Sequence, residues 1–563
     1  MQARVAYFSM EMALAVGMKT YSGGLGVLAG DTVRGFADYE LSGIGVTLLH
    51  RRGYFRQSID ENGWQQEQPD DWEPAKYAEK LPETVAITIE GRTVTIAVWR
   101  RSVEGLNGHA VPVYMLDTRL DANSEYDRTL TDYLYGGDRY YRLCQEMVLG
   151  IGGVKILRAL GYTDISRFHM NEGHSAFLTL ELLDEAAENA GRKQFSREDV
   201  EAIRQKCVFT THTPVAAGHD RFPLDMAMRA LQRKELRDMQ DVFCCDNELN
   251  MTYLALNLSD RVNGVAKRHG EISREMFPNY EIDSITNGVH VATWTAEPFA
   301  KLFDKHVPEW RKDNFSLRYA LRIPCDAVRE AHQQSKQALM DYVNKTAKAD
   351  FDVDTFTLGF ARRATPYKRA DLLMRDVQRL NALAERHGPM QIIYAGKAHP
   401  NDQQGKEYIQ RVIQSAKKLS DQIQLVYLPD YAWELGGLIT SGVDVWLNTP
   451  LPPNEASGTS GMKAALNGVP SLSVLDGWWL EGCIENETGW AIGRRYDQIE
   501  NPDVPAEQDA DSLYEKLDEV VLPLYYENYD GFLDVMINAI ALNGSFFTAQ
   551  RMLLEYMSMV YFR

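Results

Sequence analysis

Short apolar runs alternate with longer stretches of helical periodicity through most of this chain. The alternation is cleanest in the second half, where each apolar run has the length of a buried strand. Strands are predicted there at residues 356–360, 391–395, 424–428, 443–447 and 472–474, with helices between them, for example at 369–386 and 405–417. Strands that alternate with helices in this way predict a parallel, doubly wound sheet.

The first half follows the same plan with one antiparallel addition. Strands are predicted at residues 4–10, 44–49, 111–116, 207–211 and 284–286 and in the run that enters His169, with helices at 31–39, 138–160 and 174–190. The apolar alternation from Val85 to Trp99 turns at Glu90-Gly91, which predicts a β-hairpin. The tail from Asp511 onward is helical, with a break at Asn543-Gly544. We therefore predict a Rossmann-like domain over 1–294, a second over 295–540, and a C-terminal helix over 541–563 that packs back on the first domain.

Length, charge and cysteine content narrow the class of protein. A chain of 563 residues is too long to fold around a single hydrophobic core, so more than one domain is expected. A net charge of −19 argues against nucleic acid as a partner. No run of about 18 apolar residues predicts a membrane span, and no signal peptide is visible at the start. The six cysteines form no CxxC pair, and Cys244-Cys245 is a vicinal pair that rarely bridges. We expect reduced thiols and a cytoplasmic location.

One loop carries the most specific chemistry. Small residues from Asn454 to Gly461 follow a predicted strand and open into a short helix that contains Lys463. Such a loop admits an anion close to its backbone N–H groups, beside a lysine. The pattern favours either a nucleotide phosphate or pyridoxal phosphate, and the alternative is an ordinary turn with a surface lysine.

Other polar residues also follow predicted strands, where ligands bind in doubly wound folds. Four basic residues after the strand at 356–360 would repel one another without an anion, although a solvated turn is the alternative. These residues are Arg362, Arg363, Lys368 and Arg369. Gly23-Gly24-Leu25-Gly26 is a second candidate phosphate loop. His212 is either a structural or a catalytic histidine, and Asn171 to His174 either cap a helix or line a site. The spacing of Glu172 and His174 offers no further ligand, so no metal site is predicted.

Taken together, these motifs resemble those of the α-glucan phosphorylases, the family of glycogen, starch and maltodextrin phosphorylases. The segments that match follow the family's order over nearly the whole chain. They are 23–26, 211–213, 262–266, 286–288, 362–369, 395–398, 455–468 and 475–477, and the helices near 537–545. The resemblance implies two Rossmann-like domains facing across a cleft, as in glycosyltransferases of the B type, with the C-terminal helices closing back on the first domain.

The resemblance also implies the chemistry and the residues that perform it. Inorganic phosphate would cleave the terminal bond of an α-1,4-glucan, with retention of configuration, to give glucose 1-phosphate. Pyridoxal phosphate would form a Schiff base with Lys463, and its phosphate would assist. The implied cofactor contacts are Thr459, Ser460, Gly24, Arg362 and Tyr431. Substrate phosphate would contact Arg363 and Lys368. The implied sugar contacts are Glu455, Ser457, Gly458, His212, Asn287, Asn171, Glu172 and His174.

The sequence departs from the family pattern at Ser460-Gly461, where Gly-Asn is usual. The chain is also shorter than the regulated phosphorylases, so we expect no allosteric control, and a homodimer stays open. Two other functions remain alternatives. One is a glucan synthase that uses a nucleotide sugar, since Lys19 to Leu25 resembles its glycine loop. The other is an inactive glucan-binding homologue.

Overall fold

The computed structural model describes residues 5–215, 218–245, 247–494 and 506–562. The chain forms two compact units. The first unit consists of Met1–Phe55, Pro69–Thr286 and Met552–Arg563, and the second of Arg56–Gln68 and Asn287–Arg551. The domain borders drawn from the sequence at 294 and 540 stay predictions, as does the cleft between the domains.

A nine-stranded sheet forms the centre of the first unit. In order across the sheet, its strands are Asp283–Ser284, Arg261–Gly264, Cys207–Thr210, Arg167–Asn171, Val5–Ser9, Gly43–Leu48, Ala110–Asp117, Arg92–Glu104 and Glu79–Ile89. Neighbours run parallel as far as Ala110–Asp117, and the last two strands form the predicted antiparallel hairpin. Glu90 and Gly91 at its turn have φ of 53° and 77°, as a two-residue hairpin turn requires. A smaller sheet joins Arg221–Pro223, Glu248–Asn250 and Cys244–Cys245.

Helices cover this sheet and bury its apolar strands. They are Gly24–Asp38, Arg139–Met147, Gly153–Ala159, Leu178–Asn189, Arg197–Arg204, Leu224–Leu231, Glu235–Asp238, Gln240–Phe243, Met251–Asn257 and Lys267–Met276. Asp138 caps the second of them by accepting the Tyr141 N–H at 2.8 Å. The predicted helix at 138–160 is continuous because a π-helical turn at Val148–Gly152 links its two parts.

The end of the chain belongs to the first unit. Tyr561 hydrogen-bonds to His169 at 2.7 Å, and the Arg167 guanidinium donates to the Val560 carbonyl at 3.2 Å. The Tyr556 hydroxyl accepts from the Asn263 amide at 3.0 Å. These polar contacts attach the last helical turns to strands of the sheet.

The second unit contains a six-stranded, fully parallel sheet. In order across the sheet, its strands are Ile423–Leu428, Met390–Ala395, Phe356–Ala361, Val445–Asn448, Ser471–Val474 and Gly489–Ile492. Numbered along the chain this is the order 3-2-1-4-5-6 of dinucleotide-binding folds. The predicted α/β class with Rossmann-like sheets is confirmed.

Helices on both faces explain why these strands are almost continuously apolar. They are Val291–Trp294, Glu297–His306, Cys325–Ala347, Val377–His387, Gln403–Ala416, Trp433–Gly442, Ser460–Leu466, Trp479–Gly482, Ala506–Lys516, Leu522–Glu527 and Tyr529–Asn538, and Ala549–Tyr556 crosses the border of the units. The helix predicted from Arg369 starts later, at Val377, because Arg369 has a left-handed φ of 47°. The break predicted in the helical tail at Asn543-Gly544 falls at the end of a π-helical turn, Ala539–Gly544.

A hairpin from the first half of the sequence belongs to the second unit. Its strands, Arg56–Ile59 and Gln65–Gln68, pair antiparallel. Gln57 donates to the Gly396 carbonyl at 2.8 Å, and its backbone N–H donates to Asp430 at 3.0 Å. Gln65 donates to and accepts from the Ala398 backbone, both at 2.9 Å. Two buried glutamines thus attach the hairpin to strand ends of the second sheet.

Two further expectations concern thiols and membranes. Cys144, Cys207, Cys325 and Cys483 are free thiols, whereas the side chains of Cys244 and Cys245 lie outside the described part of the chain. Within the described ranges, no helix combines the length and the apolar character that crossing a bilayer demands.

Candidate functional site

The glycine loop of the first unit is held by a carboxylate. Glu11 is buried just beyond the strand Val5–Ser9 and accepts the backbone N–H groups of Ser22 and Gly23 at 2.5 and 3.1 Å. The Tyr135 hydroxyl donates to the same carboxylate at 2.8 Å. Glu11 therefore fixes the loop at the point where the helix Gly24–Asp38 begins.

Gly24 opens that helix without a side-chain cap among the described residues. A Cβ built on Gly24 would have no described atom within 4 Å, so packing does not require a glycine there. The first helical turn also carries no acidic residue. Its N–H groups suit an anion that approaches the backbone.

Asn171, Glu172 and His212 form one network at the ends of two neighbouring strands. The His212 ring nitrogen Nε2 lies 2.6 Å from the Asn171 side-chain oxygen, and Glu172 accepts the His212 N–H at 2.8 Å. Glu172 also accepts from Thr213, at 3.0 Å. Burial lowers the pKa of His212 to about 3 and raises that of Glu172. The imidazole is therefore neutral at pH 7 and is oriented by the amide.

His174 belongs to a separate buried cluster of charged groups. Its Nε2 lies 3.4 Å from Asp220, which also pairs with Arg142 at 3.0 Å. Arg142 pairs in turn with Glu146, again at 3.0 Å. Burial lowers the pKa of His174 to about 3, and the positive charge of Arg142 adds to the effect. His174 is thus a neutral ring fixed within a paired acid–base cluster.

Glu455 lies between two cations in the second unit. The Arg362 guanidinium is 2.7 Å from the Glu455 carboxylate, and the Lys368 ammonium donates to the same oxygen. Arg362 also donates to Asn448, at the end of the strand Val445–Asn448. Burial alone would raise the pKa of Glu455, but Arg362 and Lys368 outweigh burial and lower it to about 2. Glu455 is therefore an ionised carboxylate at pH 7, in contact with a guanidinium and an ammonium group.

The other two basic residues of this stretch behave differently. Arg363 is exposed. Arg369 is 5% exposed and donates to the backbone carbonyls of Thr449 and Pro450 at 2.9 and 2.7 Å. It also pairs with Asp509 at 2.7 Å. The interpretation of all four as anion ligands is wrong for Arg369, whose guanidinium is engaged in holding neighbouring chain segments.

Lys463 is 7% exposed on the helix Ser460–Leu466. Its ammonium lies 3.7 Å from the centroid of the Trp294 ring, which stacks on Trp433 at 5.8 Å. Asn467, at the end of the helix that carries Lys463, links this helix to residues 294–296. Its side-chain amide donates to the Trp294 carbonyl at 2.9 Å and accepts the Ala296 N–H at 2.7 Å. The lysine is therefore held against an aromatic face.

The segment 454–461, here called the lysine loop, leads into that helix. The Ser457 hydroxyl donates to the Gly458 carbonyl at 3.2 Å, and Gly458 has a left-handed φ of 76°. Thr459 precedes the helix without a side-chain cap among the described residues. The Ser460 hydroxyl accepts from the Trp446 indole at 3.2 Å.

Gly461 is one of the two departures from the family pattern, and packing explains it. A Cβ on Gly461 would lie 2.7 Å from the Trp478 ring and 2.9 Å from the Ser471 hydroxyl. Trp478 packs in turn on Phe547, with ring centroids 4.8 Å apart. An asparagine does not fit at 461 without displacement of Trp478.

Asn287 and Tyr431 complete the predicted set in the second unit. Asn287 is 4% exposed, and its side-chain oxygen has no hydrogen-bond partner among the described residues. Burial raises the pKa of Tyr431 to about 12, so the phenol is neutral. A buried, unpaired amide oxygen is costly and indicates a missing donor.

Several residues of these networks received no role from the sequence. They are Glu11, Trp294, Asn448 and Asp476, the last of which accepts the Glu455 backbone N–H at 2.8 Å. Glu11, Asn448 and Asp476 lie at or just after strand ends, so strict use of the strand-end rule would have found them. Trp294 follows no strand, and its contact with Lys463 has no signal in the sequence.

Fold and site define a class of α/β protein with Rossmann-like sheets whose strand ends present buried cations, a carboxylate and a lysine. The model of the carbohydrate phosphorylase family matches residues 9–121 and 220–525, and the chain belongs to this family. The family predicted from the motifs, and with it a glycosyl-transferring enzyme, is confirmed.

Individual relatives agree over the full length of the chain. Maltodextrin phosphorylase of Thermococcus litoralis is 35% identical over 99% of this chain and 70% of that protein. Glycogen phosphorylase of Aquifex aeolicus is 34% identical over 99% of this chain and 86% of that protein. An uncharacterized protein of Methanocaldococcus jannaschii is 30% identical over 99% of both chains.

Proposed function

We propose that the protein is an α-1,4-glucan phosphorylase. It would transfer the terminal glucosyl unit of a maltodextrin- or glycogen-type glucan to inorganic phosphate, with retention, giving glucose 1-phosphate. The observation that carries the proposal is the carboxylate of Glu455 between Arg362 and Lys368, in the loop that leads to Lys463. The names of the relatives agree with this activity. The free thiols support a cytoplasmic location.

The second unit fits pyridoxal phosphate as a cofactor. Lys463 would hold it covalently through Nζ, beside the face of Trp294. Two cations that share one carboxylate leave positive charge for a phosphate group. Arg362, Thr459, Ser460 and Tyr431 are the proposed contacts there, and Gly24 is proposed to approach the cofactor phosphate through its backbone. When bound, the cofactor would supply a phosphate group that supports proton transfer by the substrate phosphate.

Substrate phosphate is assigned to Arg363 and Lys368. Arg363 is exposed and Lys368 is buried, so one cation is accessible and the other is held in a fixed position. Cations that are already oriented stabilise a dianion without the cost of reorganisation. They would hold the phosphate oxygen close to the anomeric carbon, on the same face of the sugar as the departing glucan oxygen, as retention of configuration requires.

Glucosyl contacts are assigned to both units. In the second unit these are Glu455, Ser457, Gly458 and Asn287, whose unpaired oxygen supports a missing hydroxyl donor. In the first unit, the neutral His212 ring and its partners Asn171 and Glu172 offer oriented polar atoms, with His174 nearby in sequence. Positive charge that develops on the sugar in an oxocarbenium-like transition state would be stabilised by nearby anionic groups.

The test is phosphorolysis of maltooligosaccharides of graded length. We expect release of glucose 1-phosphate that requires inorganic phosphate and shortens the glucan by one unit. Absence of phosphate-dependent release from every glucan, with the cofactor bound, would favour the inactive glucan-binding homologue. Glucosyl transfer from a nucleotide sugar by a cofactor-free protein would favour the synthase-like alternative.

A further inference from the structure

We propose that Asp476 is a positioning residue, which fixes the lysine loop so that the carboxylate of Glu455 stays between Arg362 and Lys368. The inference rests on the proposed function, since that function assigns Glu455 to the glucosyl unit. Asp476 itself touches neither of the two cations through a hydrogen bond described here. Its effect passes through the backbone of the loop.

The first contact consists of two hydrogen bonds that the buried carboxylate of Asp476 accepts. One Asp476 oxygen accepts the Glu455 N–H at 2.8 Å, and the other accepts the Gly477 N–H at 2.9 Å. Asp476 is 2% exposed. Hydrogen bonds to an ionised acceptor away from water are among the stronger ones in proteins, so this contact restrains the backbone at Glu455.

The second contact comes from the next residues of the same turn. The Trp478 N–H donates to the Ser457 carbonyl at 2.9 Å. Gly477 has a left-handed φ of 55°, and a Cβ there would lie 2.4 Å from that carbonyl oxygen. Trp478 also lies against Gly461, as described above. The Asp476–Trp478 turn therefore holds the lysine loop at Glu455, at Ser457 and at Gly461.

Arg362 and the backbone of Lys368 are held by contacts outside this turn. Arg362 donates to Asn448 at a strand end, and the Thr449 hydroxyl donates to the Lys368 carbonyl at 3.0 Å. The Glu455 carboxylate depends on the lysine loop for its position, and the Lys368 ammonium contacts that carboxylate. Asp476 therefore controls the distance between Glu455 and the cations, and with it the shape of the proposed sugar contact.

The test is a double-mutant cycle on binding of glucose 1-phosphate to the holoenzyme, measured by calorimetry without a glucan acceptor. Burial raises the pKa of Asp476 to about 7, so the titrations are done at pH 8, where the carboxylate is ionised. Asp476→Asn replaces one acceptor by a donor that faces an N–H group. We expect it to raise the Kd about tenfold while the cofactor absorbance is retained. In Glu455→Gln, the added Asp476→Asn should change the Kd by less than about twofold, because the positioned group is gone.

The control is Asp352→Asn. Asp352 accepts the backbone N–H groups of Asp354 and Thr355, both at 2.8 Å, ahead of the strand Phe356–Ala361. Asp352 lies at the amino-terminal end of this strand, whereas the candidate site lies at the carboxyl ends of the strands. The Kd of Asp352→Asn should therefore match that of the wild type. If Asp476→Asn fails to fold, Asp476→Glu, which moves the carboxylate but keeps its charge, carries the same cycle.

Three results would overturn the inference: a Kd unchanged by the Asp476 variant, effects of the two variants that multiply, or loss of the cofactor absorbance. Each of these is distinct from failure of the proposed function. If the proposed function fails, the wild-type holoenzyme itself releases no glucose 1-phosphate from any glucan.

Discussion

Single residues of the candidate site differ most in how their charges are compensated. Glu455 has two cationic partners and a pKa of about 2, whereas Asp476 accepts only backbone N–H groups among its described hydrogen bonds and has a pKa raised to about 7 by burial. Neighbouring carboxylates thus have opposite shifts, which is typical of functional sites. The Lys463 ammonium lies against the face of the Trp294 ring.

Replacement of Lys463 tests the proposed cofactor role. Lys463→Ala should purify without the absorbance of bound pyridoxal phosphate and should lose phosphorolysis, because its Nζ would be the covalent anchor. Lys301→Ala, at an exposed position paired with Glu297, should keep both. Full turnover by the cofactor-free Lys463→Ala protein would contradict the assignment.

Asp476 should also contribute to the pH dependence of the free energy of unfolding. Its folded-state pKa of about 7 lies above the ordinary value of 3.8, so the folded protein retains a proton that the unfolded chain has lost. The free energy of unfolding should therefore fall as pH rises from about 4 to 7, by up to about 1.4 kcal/mol per pH unit from this group. Denaturant unfolding of the wild type and of Asp476→Asn from pH 5 to 8 measures the difference. Parallel curves for the two proteins would contradict the shifted pKa.

Whole elements explain the departure at Gly461 and the place of the hairpin. The lysine loop and the turn after the strand Ser471–Val474 are packed as a pair, so a glycine at 461 and a tryptophan at 478 belong together. The hairpin Arg56–Gln68 is joined to the second unit by buried glutamines, although the segments before and after it in sequence belong to the first unit. Packing between elements, rather than local propensity, decides both features.

A side chain at position 461 should destabilise the protein. In Gly461→Ala the new Cβ would lie 2.7 Å from Trp478, and overpacking of this kind costs about 1–3 kcal/mol. The matched control is Gly437→Ala, on the helix Trp433–Gly442, where a Cβ has no described atom within 4 Å. Alanine should raise stability there by up to about 1 kcal/mol. Equal effects of the two variants in denaturant unfolding would refute the packing argument.

Attachment of the hairpin Arg56–Gln68 to the second unit should depend on the hydrogen bonds of Gln65. Gln65→Ala leaves the buried N–H and carbonyl of Ala398 without their partner, at a cost of about 1–3 kcal/mol for each group left unpaired. Gln66→Ala changes the adjacent, exposed position and should have little effect. Unfolding free energies that fall equally in both variants would show that the Gln65 contacts contribute nothing specific.

At the scale of the whole molecule, the sequence predicts most strands of both sheets and several of the helices around them. It does not predict the strands Arg261–Gly264 and Gly489–Ile492. Most of the long apolar runs are buried strands, because parallel sheets covered on both faces need little alternation. The edge strand Ile423–Leu428 is only partly buried. The membership of the hairpin could not be predicted, since its contacts with Gly396 and Ala398 join residues more than 300 positions apart. The late start of the helix at Val377 could not be predicted either, because neither the left-handed φ of Arg369 nor its contact with the Thr449 carbonyl has a signal in the sequence.

The candidate site was predictable where a residue type follows a strand and not where a contact is tertiary. Glu455, Arg362 and Lys368 were found from the strand ends and the family motif, and the structure brings them together. The contact of Trp294 with Lys463 is tertiary and has no signal in the sequence. Asp476 lies just after a strand end, but its hydrogen bonds to Glu455 and Gly477 could not be predicted. Glu172 was found, yet its left-handed φ of 74° and its contacts with His212 and Thr213 were not.

The most direct test of the central claim is NMR of the reaction of maltoheptaose with inorganic phosphate and the holoenzyme. The proposed chemistry predicts a new phosphorus resonance from glucose 1-phosphate, with a proton coupling of the α anomer and a glucan shorter by one unit. Formation of the β anomer, of free glucose without a phosphate ester, or of no product at all would contradict the account.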